Sequence, residues 1–136
     1  MLRARVSTLC FLVLCSTAAA TRSVWDGVYT EAQANRGKSA FGEECLKCHG
    51  ESLGGGEAGP ALAGDEFLRR WYGKSVGDLF GVMRKTMPSD DPGNLATRDY
   101  ADITAYILSV NEFPAGQKEL DRDIPALSDI RIEIKK

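Results

Sequence analysis

Cys45-Leu46-Lys47-Cys48-His49 is the stretch on which the reading of this chain turns. Two thiols three residues apart on one helical turn point the same way, and an imidazole follows directly. That spacing suits one task. The sulfurs add across the two vinyl groups of a single porphyrin, and the adjacent imidazole meets the iron beneath the ring, as in covalent haem c attachment. His49 is the only histidine in 136 residues. Any site needing two imidazoles is therefore excluded, including bis-histidine haem and His-rich zinc centres. A thioredoxin-like redox pair would need a βαβ setting that the sequence pattern lacks. A plain disulfide would leave His49 without a role.

Outward from this motif, the composition is that of one globular domain, 43% hydrophobic and 26% charged. Lys and Arg number 17 against 19 Asp and Glu, which excludes the basic footprint of a nucleic-acid binder. The N-terminus reads as a secretory signal over residues 1–20. Arg3 and Arg5 supply the charged region, Leu9 to Cys15 is unbroken apolar chain, and Ala18 and Ala20 sit as small residues at a cleavage site. The uncharged stretch from Val6 to Ala20 falls short of the roughly 20 apolar residues that span a bilayer. Neither Cys10 nor Cys15 has the small predecessor of a lipoprotein cysteine, since each follows a leucine. Cleavage after Ala20 would remove both, leaving 15 basic against 19 acidic residues and a net charge of −4. Three Cys or His residues then remain, one fewer than a structural zinc site wants. The expectation is an exported, periplasmic protein with no membrane span after processing.

The remaining organisation is helical. Residues 21–29 read as a flexible lead-in. Thr30-Glu31-Ala32-Gln33 has the form of a capping box, opening a helix with Ala34, Gly37, Phe41 and Cys45 on one face. A mid-helix glycine costs about 1 kcal/mol against alanine, so Gly37 is expected to admit a close helix neighbour. A Gly-rich loop runs from Gly50 to Gly64, its Gly54–Gly59 part read as flexible, and a short helix follows from Asp65 with Phe67 and Trp71 four apart. Ser75 caps a helix burying Val76, Leu79, Phe80 and Met83, which stops at Met87-Pro88 because proline disfavours a helical predecessor. Thr97 is expected to cap a last helix with Tyr100, Ile103, Ile107 and Val110 on one face. The domain so defined covers residues 30–116. Residues 117–136 form a tail with Leu120, Ile124, Leu127, Ile130 and Ile132 as tie-down points. The fold class expected is all-α with long loops and an extended C-terminal tail.

Over Thr30 to Gly116 the chain resembles the class I cytochrome c family, in its small exported single-haem form. The resemblance rests on Cys45–His49, Gly59-Pro60-Ala61-Leu62-Ala63-Gly64, Thr86-Met87-Pro88 and Ala105-Tyr106-Ile107, in that order. More narrowly, Met87-Pro88 with Pro92-Gly93-Asn94-Leu95, and Asn111 to Gly116, resemble cytochromes found beside quinoprotein dehydrogenases. The resemblance implies a cytochrome c fold, a few helices wrapped round one haem, with the first and last helices crossing at Gly37 and Phe41 against Tyr106. It also implies that the Pro60 carbonyl accepts the His49 ring N–H and that Leu62 packs on the ring. Such a bond behind the ligand fixes its tautomer and raises its basicity.

The sixth iron ligand can be sought among the residues themselves. With one imidazole available, the soft, high-potential choice is methionine. Met1 leaves with the signal, so Met83 and Met87 remain. Met83 shares the apolar face of its helix and reads as core filler. Met87 stands at a helix end before Pro88 and is the preferred ligand; an open sixth position is the alternative. Phe67 and Trp71 read as pocket wall. Trp71 N–H or Arg70 could reach a propionate, though a solvated arginine is the default. Gly54 to Gly59 formally matches G-x-G-x-x-G, but no strand precedes it and no β-unit surrounds it. The leading function is single-electron transfer without bond chemistry, with redox protein partners, a dehydrogenase as donor or an oxidase as acceptor. The rivals are an open-site haem protein, gas-binding or peroxidase-like, and a cytochrome subunit of a dehydrogenase complex.

Overall fold

Thr30 opens the first long helix, α1 (Glu31–Glu44), by accepting the Gln33 N–H on its hydroxyl at 3.1 Å. The computed structural model describes residues 21–135, so the signal reading, with Cys10 and Cys15, lies outside the described residues. The expected capping box is only half made. The Gln33 side chain does not return to Thr30; it bonds the Leu120 N–H and C=O at 2.6 and 3.1 Å. A distant backbone offering both a donor and an acceptor outcompetes the single N–H of the cap.

After α1, Cys45 is the joint to a one-turn helix α2 (Leu46–His49). Helix α3 (Gly64–Trp71) begins one residue before the expected Asp65. Helix α4 (Val76–Thr86) has the expected Ser75 cap and a true capping box with Asp78. Met87 is extended, as its position before proline requires. Helix α5 (Thr97–Val110) is capped differently from expectation: Ala96 occupies the cap without a side-chain bond, and Thr97 is the first helical residue. No helix among the described residues is long and apolar enough to cross a membrane.

Helices α1 and α5 make the largest contact of the fold. A Cβ added at Gly37 would lie 1.8 Å from the Asp102 carbonyl oxygen, so backbone meets backbone at the crossing. Around it, Phe41 packs edge-on to Tyr106 with centroids 5.5 Å apart. Arg36 forks onto the buried Asp102 carboxylate at 2.8 and 3.0 Å and reaches Glu119 at 2.8 Å. Bidentate pairing of this kind fixes geometry as well as charge.

Both flanking segments differ from expectation. The lead-in is ordered structure: β1 (Arg22–Ser23) pairs in parallel with β2 (Ile130–Arg131), and Ser23 caps a 3-10 turn over Val24–Asp26. Val24, Val28 and Tyr29 are buried. The tail folds back instead of extending, through α6 (Ile124–Ser128) into β2. Leu120, Leu127, Ile130 and Ile132 are buried tie-down points, but Ile124 is 40% exposed and is not one. Each buried aliphatic side chain contributes about 1.5–3 kcal/mol relative to exposure, which a short segment without local pattern gains only through its partner.

Two outcomes follow from this packing. Gly37→Ala should destabilise the protein by at least about 1–3 kcal/mol, the usual cost of overpacking. Gly42→Ala on the same helix, with nothing within 4 Å of the new Cβ, should stabilise by about 0.5–1 kcal/mol. Denaturant midpoints of the two variants check both signs. Separately, hydrogen bonds from the Ser75 N–H and hydroxyl hold the Asp78 carboxyl below the usual carboxylate range. A carboxyl depressed in the folded state adds stability above its unfolded pKa of about 3.9, and that stability fades as pH falls through the folded value. Asp78→Asn should therefore cost about 0.3–1 kcal/mol at neutral pH. The gap to wild type should close in acid, read as melting temperature against pH.

Candidate functional site

The C-terminal end of α1 and the whole of α2 deliver Cys45, Cys48 and His49 to one wall of a cavity of about 940 Å³, mouth included. His49 is 6% exposed. Its Nδ1 lies 2.8 Å from the Pro60 carbonyl oxygen. A carbonyl can only accept, so Nδ1 carries the proton and Nε2 keeps its lone pair. That is the tautomer a metal-binding imidazole needs.

The Gly-rich loop makes this bond possible, and it is folded tightly where a flexible loop was expected. Gly55 N–H bonds the His49 carbonyl at 2.9 Å, Gly56 N–H the Gly59 carbonyl at 2.9 Å, and Leu62 N–H the Leu53 carbonyl at 2.7 Å. Leu53 is buried beneath it. Gly59 lies flat against the imidazole: a Cβ there would meet Cε1 and Nδ1 at 3.1 Å. The loop's exit is pinned by Asn111, which donates to Leu62 C=O at 2.9 Å and accepts from Gly64 N–H at 3.0 Å. Nothing in the local sequence pairs Asn111 with a loop nearly 50 residues earlier.

Of the residues expected at the site, Cys45, Cys48, His49, Pro60, Leu62, Trp71 and Met87 all line the cavity. Phe67 does not. It is wholly buried in the hydrophobic core one turn before Trp71, and α3 turns its ring inward. Met83 lines the cavity too, so its helix face is cavity wall as well as core. Glu44 is half-buried and also lines the wall. Leu79, Ile103 and Ile107 complete an apolar interior; Leu79 had been read simply as core.

Met87 is held through its backbone. Its carbonyl accepts the Tyr100 hydroxyl at 2.7 Å and the Gly93 N–H at 3.3 Å. The bond Met87-Pro88 is cis. Lys47, inside the attachment motif, pairs with Asp90, three residues after Met87. The pair raises the Lys47 pKa and lowers that of Asp90, so each holds the other charged.

The chemistry of the lining suits covalent haem. Burial pushes the Cys45 thiol up to about 11, with Glu44 and Cys48 adding to it. This is an apolar wall, unlike the electropositive setting that activates a redox thiol. Trp71 Nε1 is a buried donor without a partner, at the edge of the same cavity. A buried N–H is rarely left unpaired, and a haem carboxylate is a group that could accept from it.

The family model described as cytochrome c oxidase, cbb3-type, subunit III matches residues 32–107. A curated relative, the cbb3-type cytochrome c oxidase subunit CcoP of Azospirillum sp. (strain B510), is 35% identical over 55% of this chain and 30% of its own length. The chain thus spans less than a third of that relative. A solved structure, the sulfane dehydrogenase SoxCD from Paracoccus pantotrophus, superposes with a TM-score of 0.54 at 19% identity, covering 79% of this chain and 61% of that one. At that identity the likeness speaks for the fold alone.

Tyr100→Phe removes only the hydroxyl that holds Met87's carbonyl. It should cost about 0.5–1.5 kcal/mol and speed amide exchange across residues 87–93 more than across α1. Native-state hydrogen exchange reads both.

Proposed function

Because this chain belongs to the cytochrome c oxidase, cbb3-type, subunit III family and is a c-type cytochrome with covalent haem c, we propose that it is an exported single-electron carrier. His49 and Met87 would hold its haem iron. The observation that carries the reading is one cavity lined by Cys45, Cys48, a correctly tautomerised His49 and Met87.

Haem c, when bound, supplies a one-electron Fe(III)/Fe(II) couple. The chain's own residues hold and tune it. Cys45 and Cys48 tether it through thioether bonds, each formed by adding S–H across a vinyl double bond. His49 presents Nε2, kept basic by the Pro60 carbonyl. Met87 offers its sulfur from a backbone clamped by Tyr100. Leu62, Leu79, Ile103 and Ile107 exclude water, and Trp71 Nε1 offers a donor to a propionate. Methionine as the sixth ligand raises the reduction potential.

Periplasmic location is supported by the charged, then apolar, then small-residue order of residues 1–20. An oxidase partner is supported by the relative named as an oxidase subunit, and a dehydrogenase partner by the resemblance of Met87-Pro88, Pro92 to Leu95 and Asn111 to Gly116 to cytochromes found beside quinoprotein dehydrogenases. The exposed carboxylates Glu51, Glu57 and Asp91 sit in the loops around the site, favouring a partner with basic surface. Small, wet interfaces below about 1,200 Å² are usual for such encounters.

Denaturing mass spectrometry of protein from a maturation-competent host should show one haem per chain, resistant to acid–organic extraction. Ferric protein should show the weak far-red sulfur-to-iron band. Met87→Ala should abolish that band and lower the potential, and Met83→Ala should keep it; the reverse pattern would move the ligand to Met83. With a basic partner, the bimolecular electron-transfer rate should fall as salt screens charges beyond about 8–10 Å. A flat or rising salt profile would remove these carboxylates from docking.

A further inference from the structure

The tail beyond residue 116 lies outside the family match, yet it touches both helices that carry the site. Helix α4 has two working faces. Leu79, Val82, Met83 and Thr86 line the cavity, while Gly77 and Gly81, one turn apart, face the other way onto α6. A Cβ at Gly77 would stand 2.6 Å from Ser128 Oγ and 2.8 Å from Ser128 N, and one at Gly81 would be 3.8 Å from Ile124 Cδ1. Helix α4 packs more extensively on α6 than on α5.

Beyond α6 the attachment continues. Ile132 N–H bonds the Lys74 carbonyl and Gly73 N–H bonds the Ile132 carbonyl, both at 2.9 Å, just ahead of the Ser75 cap. Arg131 adds a bond to the Gly73 carbonyl at 3.2 Å. At its other end the tail is pinned to α1. Gln33 grips both polar groups of Leu120, and Arg36 holds Glu119. Thus one continuous segment runs from the helix leading into Cys45–His49 to the helix leading into Met87.

We propose that residues 117–132 are a strap that positions α4, and with it the methionine side of the cavity, against the wall carrying Cys45 and His49. Gly77 is the close contact through which it acts, and Gln33 is its anchor. The ligand part of this rests on Met87 binding iron; the strap part does not. Segments so coupled open as one unit, with shared protection and shared response to denaturant.

The test uses haem-loaded protein and hydrogen exchange read by peptide. In wild type, α4 and residues 124–132 should open together with the same denaturant dependence; separate opening overturns the strap. Gly77→Ala and Gln33→Ala should each speed exchange in α4 by about tenfold or more while α1 and α5 stay protected. Gly42→Ala, the same kind of change in open space, should leave α4 unaltered. Acceleration spread evenly over α1, α4 and α5, or α4 no faster than in Gly42→Ala, overturns the proposal. The wild-type measurement decides it even where a variant fails to mature. On warming, the far-red band should vanish at a lower temperature in Gly77→Ala than in Gly42→Ala. If the band is absent from wild type or survives Met87→Ala, the ligand reading fails while the exchange result still decides the strap.

Discussion

At Gly37 the backbone of α1 presses directly on the Asp102 carbonyl of α5, and everything at the site hangs from that crossing. Helix α1 leads through the joint at Cys45 into α2, which carries Cys48 and His49. Helix α5 supplies Ile103 and Ile107 to the cavity, Tyr100 to the Met87 carbonyl and Asn111 to the exit of the Gly-rich loop. The contact is close because no side chain intervenes, and it is oriented because Arg36 forks onto buried Asp102 beside it. A buried carboxylate left without its partner would be costly, so the pair specifies one crossing among the several that packing alone would allow.

Away from the crossing, polar groups act as pins and apolar groups as walls. The hydrogen bonds that matter most reach far along the chain: Pro60 to His49, Asn111 to Leu62 and Gly64, Tyr100 to Met87. Each fixes a backbone carbonyl or ring nitrogen at the cavity's edge. The interior is then left to aliphatic, aromatic and sulfur-bearing side chains, while Glu44, Lys47 and Arg70 bring charge to the lining and Lys47 meets Asp90. A dry, apolar surround of this kind suits a centre that changes charge by one electron without admitting water.

The segments on either side of the family match stabilise one another. Neither β1 nor β2 exceeds two residues, and an isolated pair of that size has no stability of its own. They persist because Val24, Leu127, Ile130 and Ile132 are buried together in the same core. Trp25 donates to the Glu133 carbonyl at 3.0 Å and packs edge-on to Phe113, and the Tyr29 hydroxyl bonds the Phe113 carbonyl. The segments around Trp25, Tyr29 and Glu133 are thereby tied to the end of α5.

Local chemistry determined the attachment motif. Two thiols and an imidazole at that spacing, with no other histidine, carry their meaning whatever surrounds them. Helix periodicity likewise placed the starts of α1, α3, α4 and α5 to within a residue or so, because amphipathic spacing and the Ser75 cap are properties of neighbours in sequence. What the tertiary structure decided was every choice between equivalent local options. Gln33 bonds Leu120 instead of completing its own cap, because Leu120 offers two groups and Thr30 only one. Phe67 turns into the core and Trp71 toward the cavity, although both lie on the same apolar face. Met83 and Met87 both reach the cavity wall, where position in sequence had set them apart. Residues 21–29 and 117–135 become structure only because each supplies the surface the other lacks; Ile130, Ile132 and Ile134 alternate as in a strand, but alternation alone does not name a partner more than a hundred residues away.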